Sequence, residues 1–230
     1  MSSYSLYKNS CRNCCNCTSC PKDVLDDNST VASNDKFKIV VILDESGSMG
    51  NIRKNMLDSL NDLIREQKQI KERPTTFTLV KFNDKINRKM ENVSLEHTNM
   101  LTTEDYNPSG STALYDAIGS TINRFRNERD VLMVIITDGQ ENASKKFDKQ
   151  YVSTKLDEKK KYNNWSYVYL SCDLNTFQQG NDMGLVNNAH SSNVQMVAES
   201  YGSFISKNLN KAVTNYRQNG MSVQSQLNKK

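Results

Sequence analysis

The sequence predicts an α/β fold, a doubly wound, mostly parallel central sheet with one antiparallel edge strand and helices on both faces. Three observations carry this expectation. Two apolar runs, within FKIVVILD and VLMVIITDG, end on aspartates, Asp44 and Asp138, and read as strands buried on both faces. Apolar residues at helical spacing follow each other between further strand-like runs, so strands alternate with helices. An Asn83-Asp84 turn joins two runs as a hairpin, which supplies the antiparallel edge.

The elements follow in order. Residues 37–50, FKIVVILDESGSMG, pass from a strand through Asp44, Ser46 and Ser48 into a helical pattern. Ile52, Met56, Leu60, Leu63 and Ile64 predict a helix over 51–70, stopped by Arg73-Pro74. TFTLVKF alternates as a strand over 76–82, and the polar run 85–93 belongs at the sheet edge. The connection 94–110 has no clear period, and loops of that length in a compact domain are often functional. Leu114, Ile118, Ile122 and Phe125 share one face of a helix over 112–125, and 131–139 is the strongest strand. A charged helix over 151–161, a buried strand over 165–172, a short helix over 175–183 and a last strand over 193–197 come next. Val197, Tyr201, Phe204, Ile205, Leu209 and Val213 form the stripe of a closing helix. The domain is expected over residues 35–216, between a flexible Cys-rich arm at 1–34 and a polar tail at 217–230.

Length and composition narrow the classes of function. A chain of 230 residues suits one large α/β domain with ragged ends. The longest apolar run, near Val131 to Ile136, is far too short to span a membrane. The start, MSSYSLYKNS, lacks an apolar signal core, and the expected location is intracellular and cytoplasmic, or host cytoplasm or virion if the gene is viral. A net charge of +4, evenly spread, does not argue for nucleic acid. Abundant Asn and Lys with 9 Gly and 3 Pro fit an A+T-rich genome, viral or cellular.

Five of the six cysteines crowd into CRNCCNCTSC. Cys11-x-x-Cys14 and Cys17-x-x-Cys20 have thiolate-site spacing, so Zn²⁺ is one candidate occupant. The pairs lie closer together than in zinc knuckles, and a metallothionein-like clump, S-acylation or a bare tail stay open. Cys172, at the end of a predicted strand, is expected to behave as a small apolar group.

Three loops carry compact oxygen donors: Asp44, Ser46 and Ser48, then Thr112 within SGST, then Asp138 within TDG. Each lies where a parallel sheet gathers its carboxyl ends, so all three can converge. Two carboxylates and three hydroxyls suit a small hard cation, Mg²⁺ or Mn²⁺, that keeps waters and a vacant position for an outside carboxylate. Singly, each fragment has a bland reading: Asp44 as a turn or cap, Ser46, Ser48 or Thr112 as N-caps, Asp138-Gly139 as a turn. Glu141, Asn142 and Asp173 read as rim or solvated loop residues, His97 and His190 as surface residues, and Tyr167 and Tyr169 as packing.

Asp44-x-Ser46-Gly47-Ser48, Thr112 in its Gly-Ser-Thr loop and Asp138-Gly139 after an apolar strand resemble the metal-ion-dependent adhesion site of von Willebrand factor type A domains. The resemblance covers roughly residues 36–216 and is nearest to single-domain intracellular bacterial and viral members. It implies that Ser46, Ser48 and Thr112 are hydroxyl ligands, that Asp44 and Asp138 act largely through waters, and that a partner's Glu or Asp completes the shell. It further implies a non-enzymatic protein-binding module, an adaptor or scaffold. Two rival functions stand beside it. ILDES and VIITDGQEN echo haloacid-dehalogenase-like phosphatases, although Ser46 stands where that chemistry needs a proton donor. The other rival is an interaction protein acting through its cysteine arm.

Overall fold

Strand β1, Phe37–Asp44, is buried along its whole length, as a run of Ile, Val and Leu between two neighbouring strands requires. The computed structural model of the chain describes residues 36–228. The arm at 1–34, with Cys11, Cys14, Cys17 and Cys20, lies outside them.

Six strands form one sheet in the order β3-β2-β1-β4-β5-β6. β2 is Thr75–Phe82, β3 Ile86–Ser94, β4 Val131–Ile136, β5 Ser166–Ser171 and β6 Ser191–Gln195. All neighbouring pairs are parallel except β2 and β3, the expected antiparallel hairpin at one edge. The chain therefore runs outward from β1 to β2 and β3, then crosses back to start again at β4 on the other side. β1 and β4 are the pair between which the winding reverses, and in such sheets ligands bind beyond the carboxyl ends of that pair. Leu43 is in register with Ile136, so Asp44 and the residues just after β4 emerge side by side.

Strand side chains alternate between faces, which gives two cores. Ile39, Val41 and Leu43 pack with α1, Arg53–Lys68, and with α6, Asn210–Asn219. Val40 and Ile42 pack with α2, Leu114–Arg124, and with Val152 and Leu156 of α3, Lys149–Asn163. Helix α4, Leu174–Asp182, covers β5 and β6. Tyr167 and Tyr169 lie in the second core, as packing residues.

Several expected boundaries move. The helix drawn from residue 51 is preceded by a 3₁₀ turn, Gly47–Ile52, because the glycines and serines after β1 do not support α geometry at once. The connection 94–110 holds two single 3₁₀ turns, Leu95–His97 and Thr103–Asp105, the second closed by a capping box between Thr102 and Asp105. The closing helix is not one regular stripe. It runs through α5, Tyr201–Ser203, a π segment, Phe204–Leu209, and then α6. Val197, placed on the buried stripe by simple periodicity, precedes the first turn of this helix and is 63% exposed.

The stretch from residue 217 is not a tail. Arg217 is buried within α6, Gly220 closes that helix in the left-handed region (φ 69), and α7, Val223–Leu227, follows. Val223 and Gln224 are buried, and Gln224 Nε2 donates to the carbonyl of Tyr167 at 3.2 Å. A stretch with so few apolar residues carries no periodic signal, yet two buried side chains suffice to dock it.

Candidate metal centre

The backbone turns at Asp44 and uses that side chain to shape the turn. Asp44 Oδ1 accepts from the Ser46 amide at 2.7 Å, and Oδ2 accepts from Thr137 Oγ1 at 2.7 Å. Asp44 is fully buried, and burial pushes its carboxyl up to about 6 against the pull of these hydrogen bonds. Its carbonyl accepts from the Tyr106 hydroxyl at 2.7 Å. Asp138, one residue beyond Thr137, is half-buried, and burial again raises its carboxyl. Its Oδ1 accepts from Ser48 Oγ at 2.5 Å, and the Ser46 and Ser48 hydroxyls stand 3.2 Å apart. Asp44, Ser46, Ser48 and Asp138 thus form one connected cluster.

Thr112 joins it from the other side. Asn142 clamps the Thr112 peptide twice: its Oδ1 accepts from the Thr112 amide at 2.9 Å, and its amide donates to the Thr112 carbonyl at 3.0 Å. Gly139 shows how close the pieces come. A Cβ there would lie 2.7 Å from Thr112 Oγ1 and 3.5 Å from Asp44 Oδ2, so only glycine leaves that space open. All five oxygen-bearing side chains are brought together beyond β1 and β4.

Ser46 occupies the N-cap position of its 3₁₀ turn but makes no side-chain cap. Ala113, not Thr112, is the N-cap of α2. The hydroxyls of Ser46 and Thr112 are therefore not consumed by helix ends. The donor set is all oxygen, with two carboxylates whose charge burial disfavours, and a small hard divalent cation is the group that would offset this. Ser46, Ser48, Thr112, Asp44 and Asp138 fit such an ion by chemistry.

Sequence reasoning missed the residues that hold these in place. Thr137 braces Asp44 and also bonds the backbone of Gly139. Its signal was a hydroxyl at the end of an otherwise apolar run. Tyr106 sits buried in the connection that showed no period. Glu45, in the variable position of the motif, accepts from Lys81 Nζ at 2.8 Å and from the Asn107 amide at 2.6 Å, fastening the connection to β2. Gly47 and Ser109 add backbone bonds across the same seam.

The rim residues do more than face solvent: half-buried Glu141 accepts from the amides of Tyr115, Ala143 and Ser144, and Asn142, exposed as expected, also clamps Thr112. Asp173 is the N-cap of α4, accepting from the Thr176 amide at 2.7 Å. Cys172 is half-buried and packs against the first core, as expected of a small apolar group, and its Sγ also donates to the Asp138 carbonyl at 3.2 Å. His97 and His190 are exposed, in keeping with surface roles.

A doubly wound sheet with a cluster of oxygen donors beyond the carboxyl ends of β1 and β4 is the arrangement of an α/β domain whose ligand position is its switch point. The sequence pattern of the von Willebrand factor type A domain matches residues 38–214, and the chain belongs to that family. Among solved structures, proximal thread matrix protein 1 from the mussel byssus superposes with a TM-score of 0.56 at 18% identity, over 79% of this chain and 46% of that one. A structure of that protein with a zinc-occupied metal-ion-dependent adhesion site motif gives 0.57 at 15% identity, over 78% and 46%. The PilB minor pilin from Streptococcus sanguinis gives 0.57 at 12% identity, over 79% and 62%. At these identities the likeness is one of fold, and this chain spans about half the length of the mussel protein. No curated protein sequence matches the chain.

Proposed function

We propose that this domain is a protein-binding adaptor or scaffold that captures an acidic side chain of its partner through Mg²⁺, or Mn²⁺, held at the cluster. Ser46, Ser48 and Thr112 would supply hydroxyl ligands, and Asp44 and Asp138 the charge, largely through waters. The ion would supply an open, Lewis-acidic position for an Asp or Glu carboxylate. The observation that carries the reading is the approach at Gly139, where a Cβ would lie 2.7 Å from Thr112 Oγ1 and 3.5 Å from Asp44 Oδ2, so that oxygen donors of three separate loops meet at one point. The zinc-occupied motif in the mussel protein supports it.

Each residue's part follows from its surroundings. Asp44, buried and braced by Thr137, fixes the turn that carries Ser46 and Ser48. Ser48 is exposed and Asp138 half-buried, so the cluster opens on their side. Cation binding would replace the Ser48–Asp138 hydrogen bond, with Ser48 as a ligand and Asp138 acting largely through water. A phosphatase reading is disfavoured by the same geometry. A nucleophilic carboxylate must reach a phosphorus atom in line, whereas Asp44 is sealed and both its oxygens already accept hydrogen bonds.

Thermal unfolding tests the ion. At a hundredfold excess over Kd, Mg²⁺ should stabilise the domain by about 2.7 kcal/mol, roughly 5–10 °C, and chelator should reverse it. Gly139→Ala keeps all five proposed ligands but fills the space, and should lose the metal-dependent gain. A melting temperature indifferent to Mg²⁺ and Mn²⁺ would refute the metal site. For the partner, affinity capture from the native source is run with Mg²⁺ and with chelator. The same proteins recovered equally in both arms would exclude ion-mediated recognition.

A further inference from the structure

The opposite end of the strands, where β1 and β2 begin and α1 ends, encloses a cavity of about 220 Å³. Lys36, Lys68, Lys71, Arg73 and Arg217 line it, against a single lining carboxylate, Glu96. Two of these cations are already partnered. Lys71 Nζ lies 2.9 Å from Glu96 Oε1, and Arg73 lies 3.3 Å from Asp130 Oδ2 while stacking on Phe37 and Tyr216. Lys36 and Lys68 have no side-chain ion pair or hydrogen bond among the described residues.

Arg217 is the unusual member. It is 5% exposed, and its guanidinium donates to the carbonyls of Gln67, Ile70 and Arg73 and to the Gln67 side chain. Those bonds cap the end of α1, which is a sufficient structural reason for the hydrogen bonding but not for the charge. All of these acceptors are neutral, and Nε has no partner. Burial brings Arg217 down to about 10, still fully charged at neutral pH. Exposed Glu72 offsets part of that charge and Arg73 adds to it, so the net positive field reaches the cavity beside the Lys36 and Lys68 ammonium groups.

We propose that this cavity is a second binding site, for a small phosphate-bearing anion of about pyrophosphate size. Its volume falls below the roughly 300 Å³ at which pockets for drug-sized ligands begin, so it suits a compact group of high charge density rather than a whole nucleotide. Several ammonium and guanidinium donors around one small space match a multiply charged oxyanion better than a lone carboxylate. The site lies at the far end of the strands from Asp44 and is independent of the metal reading.

The test is calorimetric titration and thermal unfolding of the full chain with sodium pyrophosphate in metal-free buffer, against sodium sulfate at matched ionic strength. Pyrophosphate should bind saturably and raise the melting temperature more than sulfate does. Lys36→Gln with Lys68→Gln should leave the ligand-free melting temperature no lower than wild type, since two like charges are removed, and should weaken binding at least tenfold, on the order of one lost charge-assisted contact. No binding, an equal response to sulfate, or an undiminished response in the double variant would each overturn the proposal. Vesicles of phosphatidylcholine with and without a phosphoinositide identify the source. Selective vesicle binding assigns the phosphate to a lipid headgroup, its absence beside pyrophosphate binding assigns it to a free oligophosphate, and both uphold the site.

Discussion

Asp44→Asn will raise the melting temperature of the metal-free domain at neutral pH by about 4–8 °C and will abolish the further gain from Mg²⁺. Burial lifts the Asp44 carboxyl from 3.8 to about 6, so at pH 7 the folded state carries a charge it would rather shed. The folded protein holds the proton more tightly than the unfolded chain between those values. Stability from this group is therefore full below the unfolded value and is lost as pH rises through about 6. A shift of this size corresponds to about 3 kcal/mol, of which about 2 should be recovered once the weaker hydrogen bonds of an amide are allowed for. Asparagine fits without orphaning a polar group. Its oxygen can accept from the Ser46 amide, and its nitrogen can donate to Thr137 Oγ1, whose own proton can go to the Gly139 carbonyl 3.0 Å away. The difference between wild type and variant should vanish near pH 4, where the native carboxyl is protonated. A variant less stable than wild type at pH 7 in chelator would mean that the hydrogen bonds to the carboxylate outweigh its burial.

That trade between stability and binding explains which parts of the molecule were legible beforehand. β1 and β4 announced themselves because strands covered on both faces must be apolar throughout, and the polar residues after them could only be loops. Their order then placed Asp44 and Asp138 together through the crossing of the chain, with no need of side-chain detail. What escaped was the support. Thr137 and Tyr106 act through single hydroxyls on backbone or carboxylate, contacts that leave no period in the sequence. Asn142 and Glu141 looked like ordinary loop polarity because a clamp on a neighbouring loop is visible only once both loops are folded. The C-terminal stretch failed for another reason. A π segment shifts the phase after Leu209, and α7 docks through Val223 and Gln224, too few buried residues to register as a stripe.

Lys81→Met should destabilise the domain by about 3–5 kcal/mol, roughly 6–20 °C, the cost of leaving one partner of a buried ion pair alone. Lys81 and Glu45 are 6% and 8% exposed, and their charged atoms lie 2.8 Å apart. Without the ammonium, the Glu45 carboxylate keeps only the Asn107 amide, at 2.6 Å, in a site that water hardly reaches. The charge rather than the packing should account for the loss, since Met replaces most of the aliphatic stem. Adding Glu45→Gln to Lys81→Met should therefore restore most of the stability: a neutral amide oxygen can still accept from Asn107, and no bare charge remains. The double variant should also keep its response to Mg²⁺, because neither side chain belongs to the proposed ligand set. A full cycle of the two singles and the double, followed by chemical denaturation, measures the coupling. If Lys81→Met costs less than about 1 kcal/mol, the pair behaves like an exposed bridge. Glu45 would then not be the post that ties the 106–110 stretch to the cluster, and the backbone bonds of Ser109 and Gly110 would have to hold that stretch alone.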